Sequence, residues 1–271
     1  MNTTNLIDNL LKYLRKKTYF NFLESNENWL VKSGLFCLSY IIPILSIIAT
    51  IAILVRAELN AVILWIPVIV CILSVLFRYT AEKMLSYVKD TINKATTKIS
   101  SGALLDVLTV FIGFGGLVVL CASIYFAITT GDWNTFLSGV FMFIFCEYCM
   151  AMLLDPVKSI NIVIEKNATP AENFVGIFSV LAKSLYRLVP VAFGSAMIFC
   201  VIHLLDILFV AEGTAVYSVM GSAYEAFYCF GMALLPLVGY LLFLFYYFTI
   251  DICVSFLQIP KKLEEISKQK K

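Results

Sequence analysis

The chain has 271 residues, of which 61% are hydrophobic and 14% charged, and its mean hydropathy is +0.91. Soluble domains are about 45–50% apolar and about 25% charged, so this composition excludes an ordinary soluble fold and predicts a protein whose solvent is the lipid bilayer. A formal net charge of +2 gives no reason to expect a nucleic-acid partner.

The N-terminal segment 1–33 is predicted to be cytoplasmic and amphipathic. Its apolar residues share one helical face and precede a basic cluster, a pattern typical of an anchor on an anionic leaflet. The apolar face is Ile7, Leu10, Leu11 and Leu14, and the basic cluster is Arg15, Lys16 and Lys17. No signal-peptide core precedes the first apolar run, so we expect that run to act as an uncleaved anchor.

Six apolar runs are long enough, at about 20 residues each, to cross the hydrocarbon. They cover residues 34–55, 60–77, 105–129, 136–154, 188–210 and 226–250. Short connections inside the first two pairs predict tight hairpins. The predicted fold is therefore all-α, with six transmembrane helices in three hairpins (34–77, 105–154 and 188–259) and cytoplasmic amphipathic helices, in one membrane domain over 1–271.

Lysine and arginine predict the orientation of these helices. Nineteen of the 20 lie in the segments 1–33, 78–104, 155–187 and 251–271, the last of which ends in the basic tail 260–271. Because positively charged loops stay on the cytoplasmic side, both termini are predicted to be cytoplasmic. The short loops fit a multi-pass protein of the inner (plasma) membrane of a cell.

The segment 78–104 continues the second apolar run as an amphipathic helix. Its apolar stripe consists of Ala81, Leu85, Val88, Ile92, Ala95 and Ile99. Spacings of three and four residues predict one helix face, and Gly102 is the predicted stop. The stripe packs either on the protein's own N-terminal helix or on a partner, for which Leu85, Val88 and Ile92 are the docking candidates.

The segment 155–187 is predicted to hold a short extended piece and then a helix. Isoleucines at 160, 162 and 164 alternate with other residues, as in a strand. A capping box at 169–172 predicts a helix start. The apolar face of that helix is Phe174, Ile177, Phe178, Leu181 and Leu185. Lys183 and Arg187 are expected to snorkel to the headgroups, and Pro190 is expected to bend the next span.

Glu147 is a carboxylic acid near the middle of the fourth run. Inserting a charged acid at that depth costs about 2.5–3.5 kcal/mol, so Glu147 is expected to have a structural or functional role. Two interpretations stay open. A protonated Glu147 hydrogen-bonds a neighbouring helix and stabilises packing, or it binds and releases a proton or cation.

Further ionisable residues lie in the last two runs. His203, the only histidine, and Asp206 are three residues apart and share a helix face. They form either a local buried pair or the outer mouth of an ion path. Asp251 is a boundary residue if the last span ends beside it, or a deep acid if the span continues toward Lys261. A zinc site is not expected, because no second histidine exists.

Enzyme chemistry has no support in the sequence. No nucleophile elbow, phosphate-binding loop or metalloprotease motif occurs. The eight cysteines lie in apolar runs and are expected to act as small hydrophobes, and Gly113, Gly115 and Gly116 are expected to permit close helix contact. We therefore expect no enzyme activity, no cofactor and no metal.

The leading functional prediction is a small transporter-like protein, or the membrane subunit of a transport assembly, that moves protons or cations. Its ionisable candidates are Glu147, His203, Asp206 and Asp251, and the six predicted spans hold no lysine or arginine to pair with them. The alternatives are a non-catalytic scaffold that docks a partner through its cytoplasmic helices and an intramembrane enzyme. The expected partners are the lipid bilayer and either further copies of the chain or another membrane-complex subunit.

Overall fold

The computed structural model describes a helical protein with one small sheet. The residues that it describes are 9, 11–15, 19–57, 64–95, 97–131, 133–164, 170–209 and 216–269. In these ranges the helices are α1 (Tyr19–Phe36), α2 (Ile42–Ala57), α3 (Trp65–Lys94), α4 (Ala103–Thr130), α5 (Trp133–Leu154), α6 (Pro156–Ile160), α7 (Pro170–Phe209), α8 (Val216–Gly231) and α9 (Leu235–Gln269). A π-helical turn, Cys37–Ile41, joins α1 to α2, and a 3₁₀ turn, Met232–Leu234, joins α8 to α9. The strands are β1 (Thr97–Ile99) and β2 (Ile162–Ile164).

Six helical stretches in the described residues are long and apolar enough to cross a membrane. They are Glu24–Val55, Trp65–Lys94, Ala103–Thr130, Thr135–Leu154, Asn173–Phe209 and Met220–Cys253. This confirms the predicted membrane class and the number of spanning helices. The sides on which the termini lie stay a prediction.

The described residues cluster into two compact units. Unit 1 contains Met1–Glu24, Lys89–Arg187 and Leu241–Lys271, and unit 2 contains Ser25–Val88 and Leu188–Tyr240.

Unit 2 has an apolar core around the second half of α7. Phe193 and Met197 of α7 are fully buried with Leu38 of the π-helical turn, and Phe230 of α8 joins the same cluster. The backbones of α1 and α7 come close enough that a Cβ on Gly194 would lie 2.6 Å from the carbonyl oxygen of Leu30. Only glycine fits at this crossing, which therefore holds α1 directly against α7.

Unit 1 contains an antiparallel pair formed by α4 and α5. A Cβ on Gly113 would meet Met150, and a Cβ on Gly116 would meet Cys146. Small residues let helix backbones approach closely, as the sequence predicted for these two glycines. Gly115 lies on the other side of α4, where an added Cβ meets nothing within 4 Å.

The sheet of unit 1 corrects one prediction and confirms another. β1 and β2 pair in parallel, with Lys98 opposite Val163. The extended piece predicted near 160–164 is confirmed as β2. Helix α3 does continue the second span, but it ends at Lys94 and not near Gly102. The stripe beyond Lys94 belongs instead to a strand, because Thr97 and Ile99 are buried while Lys98 is exposed, which is the alternation of a strand.

Candidate functional site

Unit 2 contains a cluster of three ionisable side chains, here called the imidazole cluster: His203, Asp206 and Glu225. The Nδ1 atom of His203 lies 3.0 Å from Oε2 of Glu225 and 3.7 Å from Oδ2 of Asp206. The imidazole is nearly buried, at 12% exposed, whereas the Glu225 carboxyl group is 58% exposed. The cluster therefore links a buried base to an acid that solvent or headgroups can reach.

Two helices position the cluster. His203 and Asp206 are one turn apart on α7, and Glu225 lies on α8. The thiol of Cys200 donates to the carbonyl oxygen of Ala226 at 3.3 Å, and the ring of Phe199 stacks on His203 with centroids 6.2 Å apart. The Cys200 contact joins α8 to α7 one turn before the histidine, and the Phe199 ring packs on the imidazole within α7.

The cluster suits proton binding better than metal binding. Imidazole and carboxylate groups can both bind and release a proton, and here two carboxylates lie within 4 Å of the Nδ1 atom of His203. Among the described residues Nδ1 of His203 has no hydrogen-bond partner, although Oε2 of Glu225 lies 3.0 Å away. No group of three or more histidine, cysteine or acidic side chains in the described part of the chain is arranged to hold a metal ion.

The structure brings together His203 and Asp206, as their spacing predicted, and adds Glu225. Sequence reasoning missed Glu225 as a site residue because it is 22 positions from His203 and has no local motif. Glu147 lies on α5 of unit 1, where it is half-buried. Asp251 lies on α9 and is exposed. One turn before it, the hydroxyl groups of Tyr247 and Ser179 bond at 2.8 Å, and the depth of Asp251 in the membrane stays a prediction.

The three docking candidates on α3 pack inside the chain. Val88 is 0% exposed and Ile92 is 1% exposed, and Leu85 packs partly buried against the core of unit 2. Most of the stripe is therefore buried within the chain. Its packing on the N-terminal helix and its docking to a partner both stay predictions.

Lys183 and Arg187 differ most from their expected positions. Lys183 is fully buried and Arg187 is 5% exposed, so neither side chain snorkels toward headgroups. The ammonium group of Lys183 donates to the carbonyl oxygens of Ala95 and Asn161, the latter at 3.1 Å. The side-chain amide of Asn161 donates in turn to the carbonyl oxygen of Asn93 at 2.7 Å. We call these four residues the Lys183 junction, because they join the ends of α3 and α6 to α7.

The backbone that follows α3 lies along one face of α7. The backbone N–H of Ser100 donates to Asn173 at 3.0 Å, and the hydroxyl groups of Thr97 and Ser179 bond at 2.7 Å. Between them, a Cβ on Gly176 would lie 2.4 Å from the carbonyl oxygen of Lys98. The contacting positions of α7 are three or four residues apart, so this polar face of α7 is filled by non-helical backbone.

Arg15 joins three parts of unit 1. Its guanidinium forms an ion pair with Asp106 near the start of α4 and donates to the carbonyl oxygen of Leu154, the last residue of α5, at 3.1 Å. Arg15 was predicted to contact anionic headgroups, but here it binds one carboxylate and one helix end.

Comparisons with known proteins give no relative for this chain. No protein-family model, curated protein or solved structure matches it.

Proposed function

We propose that the protein is a small transporter-like membrane protein, or the membrane subunit of a transport assembly, that moves protons or cations. The observation that carries this proposal is the imidazole cluster. Two carboxylates lie within 4 Å of the Nδ1 atom of a nearly buried histidine, and both carboxylate side chains are more exposed than the imidazole. Such an arrangement can take up a proton from the exposed side and pass it to a buried base.

The distribution of charge supports movement of a positively charged species. The six predicted spans contain no lysine or arginine, and Lys183 and Arg187 lie just before the fifth of them. Acidic side chains at membrane depth without basic partners are stable when they are protonated, hydrated or bound to a cation. Glu147, which is half-buried on α5 of unit 1, is proposed as a second group that binds and releases a proton or cation.

The test is proton flux into liposomes that contain the purified protein. We expect wild type to dissipate an imposed pH gradient faster than empty liposomes, and Glu225→Gln and His203→Gln to reduce that flux about tenfold or more, since each removes one titrating partner of a positioned proton transfer. The matched control is Asp90→Asn, which changes an exposed acid on α3 and should leave the flux unchanged. Equal flux in wild type and empty liposomes would disprove proton transport.

The proposal also includes a membrane topology for the chain. The six spans form three hairpins with both termini in the cytoplasm, and the protein resides in the inner (plasma) membrane. The junction between Asn93, Ala95, Asn161 and Lys183 supports it, because the segments 78–104 and 155–187 were both assigned to the cytoplasmic side.

The competing proposal is a non-catalytic scaffold that docks a partner. Its original observation, the apolar stripe on α3, is weaker now that Val88 and Ile92 are buried. A scaffold would need another surface, so we favour transport. Loss of co-purifying proteins on Leu85→Ser with unchanged folding, without any flux in wild type, would reverse that preference.

A further inference from the structure

The first half of α7 has an unusual distribution of polar and apolar residues. Between Asn173 and Arg187 every exposed side chain is apolar, whereas the charged residues Lys183 and Arg187 and the hydroxyl group of Ser179 are buried. The exposed apolar residues are Phe174, Ile177, Phe178, Leu181 and Leu185, with exposed fractions from 37% to 64%. We call these five residues the outer face of α7.

This distribution is the reverse of the one expected for a helix at a water surface. A helix at a water surface exposes polar side chains and buries apolar ones. Here the polar side of the helix is already covered by β1 and the Lys183 junction, whose hydrogen bonds engage Ser179 and Lys183. The apolar side is left to contact another apolar phase.

We propose that the outer face of α7 lies against the lipid of the membrane interface, as an embedded extension of the fifth span. Two observations choose lipid over a protein partner. The five residues belong to the same helix as the fifth span, because α7 extends from Pro170 to Phe209 with Pro190 inside it. The stretch Asn173–Phe209 is also apolar enough as a whole to be a membrane span.

Length sets the geometry of this embedding. A straight helix of 40 residues, the number in α7, would be about 60 Å long at 1.5 Å per residue, about twice the hydrocarbon thickness. A helix longer than the hydrocarbon is thick keeps its apolar residues out of water only if part of it lies in the interface, strongly tilted from the bilayer normal. Non-helical backbone at this depth is stable only where protein covers it, which is the role of the contacts between β1 and α7. Buried Lys183 therefore supplies hydrogen-bond donors to backbone carbonyl groups that lie close to lipid.

The test is quenching of a single tryptophan in vesicles of phosphatidylcholine and phosphatidylglycerol. The native tryptophans, Trp29, Trp65 and Trp133, are exposed and are replaced by phenylalanine. One variant then carries Phe178→Trp, and the matched control carries Tyr87→Trp, because the two parent side chains are equally exposed at 48% and 50%. Tyr87 lies on the charged, outward side of α3.

We expect lipid brominated near the carbonyl end of its chains to quench Phe178→Trp strongly and aqueous iodide to quench it little. In the control, Tyr87→Trp should be quenched strongly by iodide and little by the brominated lipid, and its emission maximum should lie at longer wavelength. Strong iodide quenching of Phe178→Trp would overturn the proposal in favour of water. Quenching by neither agent would overturn it in favour of a protein cover, such as a second copy of the chain. Equal lipid quenching at both positions would also overturn it, because closeness to the vesicle alone would explain the signal. If Phe178→Trp does not fold, Phe174→Trp gives the same readout.

Discussion

At the scale of single residues, Lys183 has the most demanding environment in the described chain. It is fully buried, and its ammonium group donates to the carbonyl oxygens of Ala95 and Asn161. We predict that Lys183→Met destabilises the protein by about 2 kcal/mol or more, since buried acceptors that lose their donor cost about 1–3 kcal/mol each. The measurement is the thermal unfolding midpoint in detergent, followed by circular dichroism.

The control for this prediction is Lys94→Met. Lys94 is exposed at the end of α3, so its loss is expected to change stability by less than about 0.5 kcal/mol. If both variants unfold at the same temperature as wild type, the carbonyl contacts of Lys183 do not stabilise the junction.

Residue-level sequence reasoning succeeded where the relevant partner was near in the chain. His203 and Asp206 do meet, because a spacing of three residues places side chains on one helix face. Glu225 belongs to another helix, and only tertiary structure brings it to His203. The prediction that the side chains of Lys183 and Arg187 reach the headgroups failed for a similar reason, because it also depended on tertiary contacts. The pattern of an amphipathic helix defines two faces, but not which of them the rest of the protein covers.

At the scale of elements, the contact between α7 and the strand β1 gives a sharp prediction. A Cβ on Gly176 would lie 2.4 Å from a backbone oxygen of Lys98, and backbone cannot rotate away as a side chain can. We predict that Gly176→Ala destabilises the protein by about 1–3 kcal/mol, the usual cost of overpacking. The thermal unfolding midpoint in detergent measures this as well.

Gly115→Ala is the matched control for that substitution. Gly115 lies within α4 in open space, so alanine there should leave stability unchanged or raise it by up to about 1 kcal/mol through helix propensity. A Gly176→Ala variant as stable as Gly115→Ala would mean that β1 does not lie against α7 at this point.

The sequence predicted most of the helices but not the end of α3. The apolar stripe of α3 continues to Ile99 with helical spacing, and Thr97 and Ile99 are also two residues apart, as in a strand. Short stretches of this kind suit both structures, and a distant partner decides between them. That partner is β2, whose alternating isoleucines were recognised but whose pairing was not.

At the scale of the whole molecule, the tertiary contacts bear on the predicted orientation. Arg15 of segment 1–33 contacts Asp106 at the predicted inner end of the third span and Leu154 at that of the fourth. Asn93 of segment 78–104 contacts Asn161 of segment 155–187. Each contact joins parts of the chain that the distribution of lysine and arginine assigned to the same side, as a correct topology requires.

The orientation itself leads to a prediction about tag accessibility. An epitope tag at the C-terminus should be open to added protease in inside-out membrane vesicles and protected in right-side-out vesicles, because the basic segments remain on the cytoplasmic side. The same tag inserted after Gly131, in the turn between α4 and α5, should behave in the opposite way. The two tags control for each other, since leaky vesicles would expose both. A C-terminal tag that protease reaches only in right-side-out vesicles would invert the orientation, and Glu225 of the imidazole cluster would then face the cytoplasm.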